Sequence, residues 1–409
     1  MNEMNVPAIR FAGFAEDWEK RKLSAIASIK ASIGWQGLTQ KEFLDGGDYY
    51  LITGTDFAEG TIDFPNCHYI GEDRYKQDTN IQVKARDVLI TKDGTIGKVA
   101  YIKELDKPAT LNAGVFVIRG RDESTSNLYM YHYLAAPFLL DYADEQATGG
   151  TIKHLNQNVL VNFPVPMPSV AEQEKVGQFF SAVNDLITLH QREHDKTGNI
   201  KKALLEKMFP KAGEDKPEIR FAGFTDAWEQ RKLGEITSEF SGYATLEAGL
   251  PLFTSARSGL MYQCEYRGNQ TTDSKKTLFS VVPLNACTYR HMSDDDVFHM
   301  NINTLEKGLV SREYPVFLST EGNDLNFIIQ HLNSSSPFRA FCKEQKKGGT
   351  RTRLYYEALC EFTMQVPTPT EQKRISRCLL TLDDLLTLHQ RELIKLQNIK
   401  KALLEKMFV

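Results

Sequence analysis

Hydrophobic and polar positions follow a helical period in two long stretches, residues 166–209 and 367–409. In the second stretch the apolar positions are spaced alternately by four and three residues, and His389 and Lys400 occupy the two remaining positions. This spacing predicts a coiled-coil seam. The apolar seam residues are Ile375, Leu379, Leu382, Leu386, Leu393, Leu396, Leu403 and Met407.

A second apolar stripe, Leu385, Leu388 and Ile399, runs beside this seam. It makes the apolar face wider than one partner helix needs. Helices from another chain that join a bundle are one explanation. The alternative is packing of the helix onto the chain's own globular part.

The first stretch keeps the seam only in part. Val176, Phe180, Val183 and Ile187 lie on it, but His190, His194 and Thr197 then occupy its positions. Ile200 and Leu204 are the further coiled-coil candidates of this stretch. Gly198 should cost about 1 kcal/mol inside a helix. We therefore expect a softer or kinked middle in the first helix.

The regions before each long helix have a different pattern. Residues 88–102 and 112–120 are short β-like runs, and Asp93-Gly94 is a turn signal between strands. A helical pattern follows at residues 127–140. In the second half of the chain, strand patterns lie at 277–282 and 314–319, with a helix near 325–332. Each region is predicted to be a mixed α+β globular domain.

The chain is an internal repeat. IKKALLEKMF occurs at residues 200–209 and again, unchanged, at 399–408, and IRFAGFAEDWEKRKL (9–23) returns as IRFAGFTDAWEQRKL (219–233). Between these motifs the two halves are dissimilar, although they end alike, with GGTIKHL (149–155) and GGTRTRL (348–354). The motifs at the ends of each repeat are therefore constant, and the regions between them vary. This pattern predicts a duplicated architecture.

Composition narrows the class of protein. With 409 residues, 41% hydrophobic and 25% charged, the chain can form two to four globular domains. We expect a cytoplasmic protein, because no basic-flanked apolar leader and no long apolar run occurs. The six cysteines form no CxxC pair, which argues against a zinc site or a disulfide framework. The net charge of −4 requires any basic surface to be local.

Candidate catalytic motifs are weak. HQREH (190–194) matches the H-x-x-E-H pattern of inverted zinc proteases, but the repeat has HQREL, so polar seam residues are the preferred interpretation. DGTIGKV (93–99) lacks the spacing of a phosphate-binding loop and is interpreted as a turn between strands. The sequence contains no G-x-G-x-x-G unit, no G-x-S-x-G elbow and no Asn-Pro-Pro-aromatic motif of an amino-methyltransferase, so we predict a non-catalytic chain without its own cofactor or metal.

One local signal points to nucleic acid. Residues 339–353, RAFCKEQKKGGTRTR, carry six lysines and arginines against Glu344 alone, as phosphate neutralisation requires. Arginine can also contact guanine edges through two hydrogen bonds. A solvated basic loop is the alternative. The candidate DNA-binding residues are Lys346, Lys347, Thr350, Arg351 and Arg353, with Thr151, Lys153, His154, Lys92, Thr95 and Lys98 as weaker candidates in the first half.

Taken together, these motifs resemble the specificity subunit of type I restriction–modification systems over nearly the whole chain. The resemblance implies target-recognition domains at 1–165 and 219–366, conserved spacer helices at 166–209 and 367–409, and a linker at 210–218. It implies that each domain reads one half of a split site in double-stranded DNA. It also implies two methyltransferase subunits docked on the helices, restriction subunits joined through the complex, and S-adenosylmethionine, ATP and Mg in those partners.

The expected fold is α+β, with two target-recognition domains in a pseudo-twofold arrangement separated by two long antiparallel coiled-coil helices. A helix of about 38 residues spans roughly 57 Å, so the domains should lie apart. Because their contents differ, we expect an asymmetric bipartite target. The alternative from another class is a duplicated coiled-coil scaffold that binds proteins and no DNA, and an autonomous nuclease or methyltransferase is disfavoured by the missing motifs.

Overall fold

The computed structural model describes residues 6–32, 38, 42–146, 155–211, 213–267, 276–346, 348 and 350–408. Its internal contacts divide the chain into two compact units. The first unit contains Met1–Gln191 and Arg391–Val409, and the second contains Arg192–Gln390. Each unit thus combines one globular region with a part of both long helices.

The first unit is built mostly of short strands. Its strands are β1 (Glu19–Lys22), β2 (Ala27–Ala31), β3 (Tyr49–Ile52), β4 (Phe57–Ala58), β5 (Thr61–Ile62), β6 (His68–Ile70), β7 (Gln82–Val83), β8 (Val88–Thr91), β9 (Val99–Tyr101), β10 (Ala109–Leu111), β11 (Val115–Gly120) and β12 (Pro164–Met167). Its helices are α1 (Leu23–Ile26), α2 (Glu72–Gln77), α3 (Asn127–Leu134), α4 (Phe138–Gln146), α5 (Gln157–Asn162) and the first part of α6 (Val170–Lys207).

A four-stranded sheet, in the order β2-β11-β8-β9, lies between two cores of the first unit. Successive residues of a strand point to opposite faces. On β8, Val88 and Ile90 accordingly pack into the core that contains Trp18, while Leu89 packs into the core that contains Tyr50. A second sheet, β6-β3-β10-β7, borders the latter core. Both faces of β8 are therefore buried, which explains its continuous apolar sequence.

The second unit has its own set of elements. Its strands are β13 (Glu229–Lys232), β14 (Thr237–Glu239), β15 (Tyr243–Thr245), β16 (Phe253–Ala256), β17 (Gly259–Tyr262), β18 (Leu278–Val282), β19 (Cys287–Thr288), β20 (Met292–Ser293), β21 (Asn301–Ile302), β22 (Gly308–Ser311), β23 (Val316–Ser319), β24 (Thr352–Arg353) and β25 (Thr363–Val366). Its helices are α7 (Leu233–Ile236), α8 (Gln263–Arg267), α9 (Leu325–Ser334), α10 (Ser336–Glu344), α11 (Tyr356–Cys360), the last part of α6 and the first part of α12 (Pro369–Met407).

Sheet order distinguishes the second unit from the first. Its larger sheets have the orders β14-β23-β19-β21 and β15-β18-β22, and shorter pairs are formed by β16 with β17 and by β20 with β24. All of these pairings are antiparallel. In the first unit, by contrast, β3 and β10 are parallel. The dissimilar sequences between the repeated motifs therefore form dissimilar sheets.

The repeated motifs form the same joint in both units. β1 pairs antiparallel with β12 and β13 with β25, so the opening motif pairs with the strand that leads into the long helix. The guanidinium of Arg10 donates two hydrogen bonds, of 2.7 and 2.8 Å, to the Glu172 carboxylate near the start of α6. Arg220 makes the same pair with Glu371, at 2.7 Å for both bonds. Both glutamates are buried.

The last residue of each repeated decapeptide packs in a hydrophobic core. Phe408 lies in the first unit, with its ring 5.6 Å from Phe180 and 5.2 Å from Tyr133. Phe209 lies in the second unit, with its ring 5.3 Å from Phe327. Since Phe408 at the end of α12 packs on Phe180 near the start of α6, the two helices run antiparallel within the first unit.

The seam predicted for α12 is the sheltered face of that helix. Ile375 and Leu379 are buried in the second unit's main core, so at this end the helix packs on its own globular region. Leu393 and Met407 are buried as well, whereas Leu382, Leu386, Leu396 and Leu403 are half-buried. The periodicity was therefore sufficient to find the inward face, although part of that face contacts a globular core rather than a helix.

The sequence-based expectation for the middle of α6 differs from the structure. The helix continues without interruption from Val170 to Lys207 through His194 and Gly198. A Cβ atom added at Gly198 would lie 3.9 Å from the Leu386 side chain, an ordinary contact distance, so close approach does not require the glycine. Tertiary packing has overridden its low helix propensity.

The predicted helix over residues 127–140 is two helices. α3 ends at Leu134 and α4 begins at Phe138, with Pro137 between them. Proline has no N–H to donate and restricts the residue before it, so a helix rarely continues through it.

Among the described helices, none has the length and apolarity required to cross a lipid bilayer.

Candidate nucleic-acid interface

In the second unit, the predicted basic segment lies against an acidic loop. The Arg351 Nε donates to Asp294 Oδ1 at 2.7 Å, and the Lys346 ammonium lies 3.9 Å from Asp296. The Thr352 hydroxyl also donates to Asp296. The segment is therefore partly neutralised within its own unit. The charges of residues 339–353 alone do not indicate this pairing, because each aspartate precedes its partner by at least 50 residues in the chain.

Arg353 is held differently from Arg351. It lies on β24, where its backbone is opposite Met292 of β20, and its side chain is exposed. Thr350 is exposed as well, while Lys347 falls outside the described residues. The β20–β24 pair thus presents Arg353 beside the acidic loop.

A cleft of about 640 Å³ lies next to this pair. It brings together basic and aromatic side chains that no sequence motif had indicated, among them Arg257, Arg290, His299 and Tyr266. Arg257 donates to Asp295, and this hydrogen bond holds the pKa of Asp295 below its ordinary value. In nucleic-acid-binding proteins, aromatic side chains stack on bases and cationic side chains contact phosphates.

His291 is a buried part of the cleft wall. Its ring stacks on Tyr355, with centroids 5.4 Å apart, and burial lowers the pKa of the imidazole. At neutral pH the ring is therefore uncharged, with one nitrogen that donates and one that accepts. Within the described residues its Nδ1 has no hydrogen-bond partner. The only sequence signal was the basic pair Arg290-His291 just before three aspartates.

In the first unit, Leu155 lies beside the turn at residues 92–98. Leu155 N donates to the Lys92 carbonyl oxygen at 2.9 Å, so the chain leaving residues 151–154 meets the turn at residues 92–98. Leu354 N makes the equivalent bond with His291 in the second unit, at 2.8 Å. Thr151, Lys153 and His154 themselves lie outside the described residues. Leu155 and Leu354, which end the two similar GGT segments, are therefore each held by one backbone bond to a segment earlier in their own unit.

The turn at residues 92–98 is well defined. Thr91 accepts a hydrogen bond from Lys98 N at 2.9 Å, and Gly94 and Gly97 have positive φ angles of 73° and 74°. The Lys92 ammonium lies 5.7 Å from the centre of the Phe116 ring. Thr95 and Lys98 are exposed. The turn between β8 and β9 thus presents two polar side chains to solvent.

The helix residues that are candidates for the coiled coil and for subunit docking fall into three groups by exposure. Val176, Phe180, Ile375, Leu379 and Leu393 are buried within their own units, and Val183, Ile187, Leu204, Leu382, Leu386, Leu396 and Leu403 are half-buried. Ile200 and Ile399 are exposed. Both belong to the second apolar stripe and its repeat in α6, which we call the outer stripes. The exposed members of the outer stripes are Leu186, Leu189, Ile200, Leu385, Leu388 and Ile399.

The H-x-x-E-H match on α6 does not form a metal centre. Nδ1 of His194 lies 3.3 Å from the carboxylate of its neighbour Asp195. Across the described part of the chain, no group of three histidine, cysteine, aspartate or glutamate side chains is arranged to hold a metal ion. The histidines are positions on a continuous helix.

Comparisons with known proteins agree with this architecture. Residues 15–196 match the family model described as "Type I restriction modification DNA specificity domain". A putative type I restriction enzyme MjaX specificity subunit from Methanocaldococcus jannaschii is 21% identical, over 98% of this chain and 95% of that protein. The EcoBI specificity subunit from Escherichia coli is 24% identical, over 57% of this chain and 47% of that protein.

A solved structure shows the fold. The crystal structure of the type I restriction–modification S subunit from M. genitalium covers 99% of both chains, with a TM-score of 0.60 and 14% identity. The predicted mixed α+β fold, with two β-rich regions and long helices that pack together, is thereby confirmed. Residues 15–196 thus match the specificity domain of type I restriction–modification systems, and nearly the whole chain is similar to a specificity subunit of such a system. Such a subunit is itself non-catalytic.

Proposed function

We propose that this chain recognises the target DNA of a type I restriction–modification complex, and that each unit reads one half of an asymmetric bipartite site. One observation carries the proposal: the joint between β-rich region and long helix is the same in both units, while the sheets it holds differ. The identical joints give the two reading surfaces the same structural surroundings. The differing sheets allow each surface to read different bases. We retain the sequence-based division into domains, spacer helices and linker as part of this proposal.

The reading surfaces in this proposal are the corresponding segments of the two units. In the first they are the turn at residues 92–98 and the chain that precedes Leu155. In the second they are residues 290–296 with Arg351 and Arg353. Support comes from the exposed lysine, threonine and arginine side chains at these places and from the polar cleft beside Arg257.

The outer stripes are proposed as the docking surface for two methyltransferase subunits, through which restriction subunits join. Leu189 and Leu388 are each 53% exposed, at equivalent positions of the repeat. A repeated row of exposed leucines on a folded helix favours contact with another protein. S-adenosylmethionine, ATP and Mg belong to the partner subunits in this proposal.

Mapping of N6-methyladenine in cells that express the chain with the methyltransferase of its own system tests the DNA-reading proposal. The expected motif has two unrelated specified halves separated by unspecified base pairs. A palindromic motif, or an undivided one, contradicts the proposal. Binding of DNA by the purified complex should also weaken steeply with salt, whereas a scaffold without DNA reading has no such dependence.

Replacement of Arg351 and Arg353 by Ala is expected to relax or weaken reading of one half-site only. Loss of a base contact by arginine costs about 1–3 kcal/mol, and loss of Arg351 also leaves Asp294 without its partner at the surface. The measurement is the methylation motif of the variant, with affinity for single-substitution duplexes. Lys92→Ala is the matched variant of the other unit and should affect the other half. Equal loss at both halves in either variant would contradict the assignment.

Polar replacement of the outer stripe should weaken subunit docking without unfolding the chain. For Leu385→Ser with Leu388→Ser we expect at least a tenfold weaker affinity for the methyltransferase subunit, because apolar area is no longer covered on binding. Stability should change by no more than about 0.5 kcal/mol per exposed site. Titration by light scattering and thermal unfolding measure the two effects. Unchanged affinity with unchanged stability would place the dock elsewhere.

A further inference from the structure

The repeat allows the same cluster of three side chains to be compared in the two units. In the second unit the Lys201 ammonium bonds to Asp383 Oδ1 at 2.5 Å, and Gln330 Nε2 donates to Asp383 Oδ2 at 3.0 Å. Lys201 and Gln330 are half-buried. The positive charge of this lysine is therefore matched by a carboxylate of its own unit.

The first unit has the lysine but lacks the carboxylate. The identical decapeptides align Lys201 with Lys400, and the segments NDLITLHQRE (184–193) and DDLLTLHQRE (383–392) align Asp383 with Asn184. Since Asn184 is neutral, it cannot compensate the lysine. Among the described residues, no carboxylate lies within salt-bridge distance of Lys400, and burial lowers the pKa of its ammonium.

The third member also differs. The capping bonds of Ser126 to Tyr129 N and of Asp324 to Phe327 N align α3 with α9, and this places His132 where the second unit has Gln330. His132 is buried, and its Nε2 has no hydrogen-bond partner in the described part of the chain. Burial, together with the charge of Lys400, lowers the pKa of His132 to about 3. The imidazole is thus neutral and adds no negative charge.

A cleft of about 720 Å³ opens at this place in the first unit. Asn184 and Lys400 line it from α6 and α12, and the other charged side chains on its wall are Lys98, Lys401 and Glu59. Three lysines against one glutamate favour an acidic ligand. Asp185 on the neighbouring helical position is paired with Lys103 at 2.9 Å and does not supply the missing charge.

We propose that this cleft binds the carboxylate side chain of an aspartate or glutamate from a docked methyltransferase subunit, in the position that Asp383 fills in the second unit. The inference rests on the proposed function, in which the helices dock those subunits. A protein source fits better than a small acid, because the cleft is far larger than a carboxylate. The same turns of α6 also expose Leu186 and Leu189, which a folded partner would cover. The two docking sites are therefore chemically different.

Carbodiimide cross-linking of the full chain with its methyltransferase subunit tests this, since the reagent joins lysines only to carboxylates in contact. Mass spectrometry should find Lys400 or Lys401 linked to an acidic residue of the partner. Glutarate is the small-acid probe: carbodiimide should couple it to Lys400 in the free chain and no longer in the complex. Coupling of glutarate at an undiminished level in the complex would mean that the cleft stays open, and would overturn the inference.

Two variants give the quantitative test. Asn184→Asp supplies the carboxylate within the chain, and Lys400→Gln removes the positive charge. Each variant should weaken the binding of one of the two methyltransferase subunits about tenfold and leave the binding of the other unchanged. Asp383→Asn is the matched control in the second unit, and it should leave the Lys400 cross-link intact. Wild-type affinity at both sites in both variants, without a Lys400 cross-link, would sink the inference while docking itself stands. Absence of any complex with the wild-type chain would instead refute the proposed function, and the inference with it.

Discussion

Replacement of Phe408 by Ala, at the far carboxyl end of the chain, is expected to destabilise the amino-terminal unit by about 3–5 kcal/mol. The ring is buried among Tyr129, Tyr133, Phe138 and Phe180, all of which belong to that unit. Removing it leaves a cavity in an aromatic cluster that the rest of the unit cannot fill. Hydrogen exchange resolved by peptide should show lost protection across the first unit and unchanged protection in the second.

The repeat provides the controls for this experiment. Phe209→Ala should have the converse effect, because Phe209 packs against Trp228, Phe327 and His331 of the second unit. Ile399→Ala, on the exposed outer stripe, should change stability by no more than about 0.5 kcal/mol. If Phe408→Ala reduced protection mainly in the second unit, the assignment of the end of α12 to the first core would be wrong.

Arg10→Ala should destabilise the first unit by about 3–5 kcal/mol, the range for removing one partner of a buried ion pair. The Glu172 carboxylate is 1% exposed, and it accepts two bonds from Arg10 and one, of 3.2 Å, from Trp18 Nε1. Without the guanidinium its charge stays buried with one remaining donor. Urea unfolding, followed by the same peptide-resolved exchange, measures the loss.

A second substitution separates the charge from the packing. Glu172→Gln in the Arg10→Ala background removes the uncompensated charge, so the double variant should be more stable than Arg10→Ala alone. Arg220→Ala gives the equivalent result for the second unit through Glu371. A loss below about 1 kcal/mol in both single variants would mean that water replaces the arginine at little cost.

The sequence predicted the helices well because their periodicity is local. Ile375 and Leu379 were assigned to an inward face and are buried. The helical period does not indicate which neighbour buries each residue, because that depends on contacts between distant segments. The decapeptide is the clearest case: its identity in both copies predicted a duplicated architecture, but not that Met208, Phe209, Met407 and Phe408 would be buried in hydrophobic cores.

The candidate interface was predicted less completely, for an electrostatic reason. Residues 339–353 were chosen by their own charge, but Arg351 and Lys346 lie close to Asp294 and Asp296 across the sheet. Pairing of this kind depends on how β20 and β24 align, which no local pattern encodes. Arg257, Arg290 and His299 meet in the cleft for the same reason. The pairing of Lys92 with Leu155 also follows from the fold and not from either segment alone.

The hydrogen bond between Ile9 N and the Lys406 carbonyl oxygen, of 2.9 Å, has an exact parallel between Ile219 N and Lys207 in the second unit. In the second unit the two residues are also joined covalently, by residues 208–218. The same contact between opening motif and helix end is thus made once within a continuous segment and once between distant segments of the chain. In a circular permutant, a copy of the 210–218 linker would join residue 408 to the original amino terminus, and the new termini would lie within the original linker. This permutant should keep the contacts of both units. Which half is translated first is then a property of the gene and not of the fold.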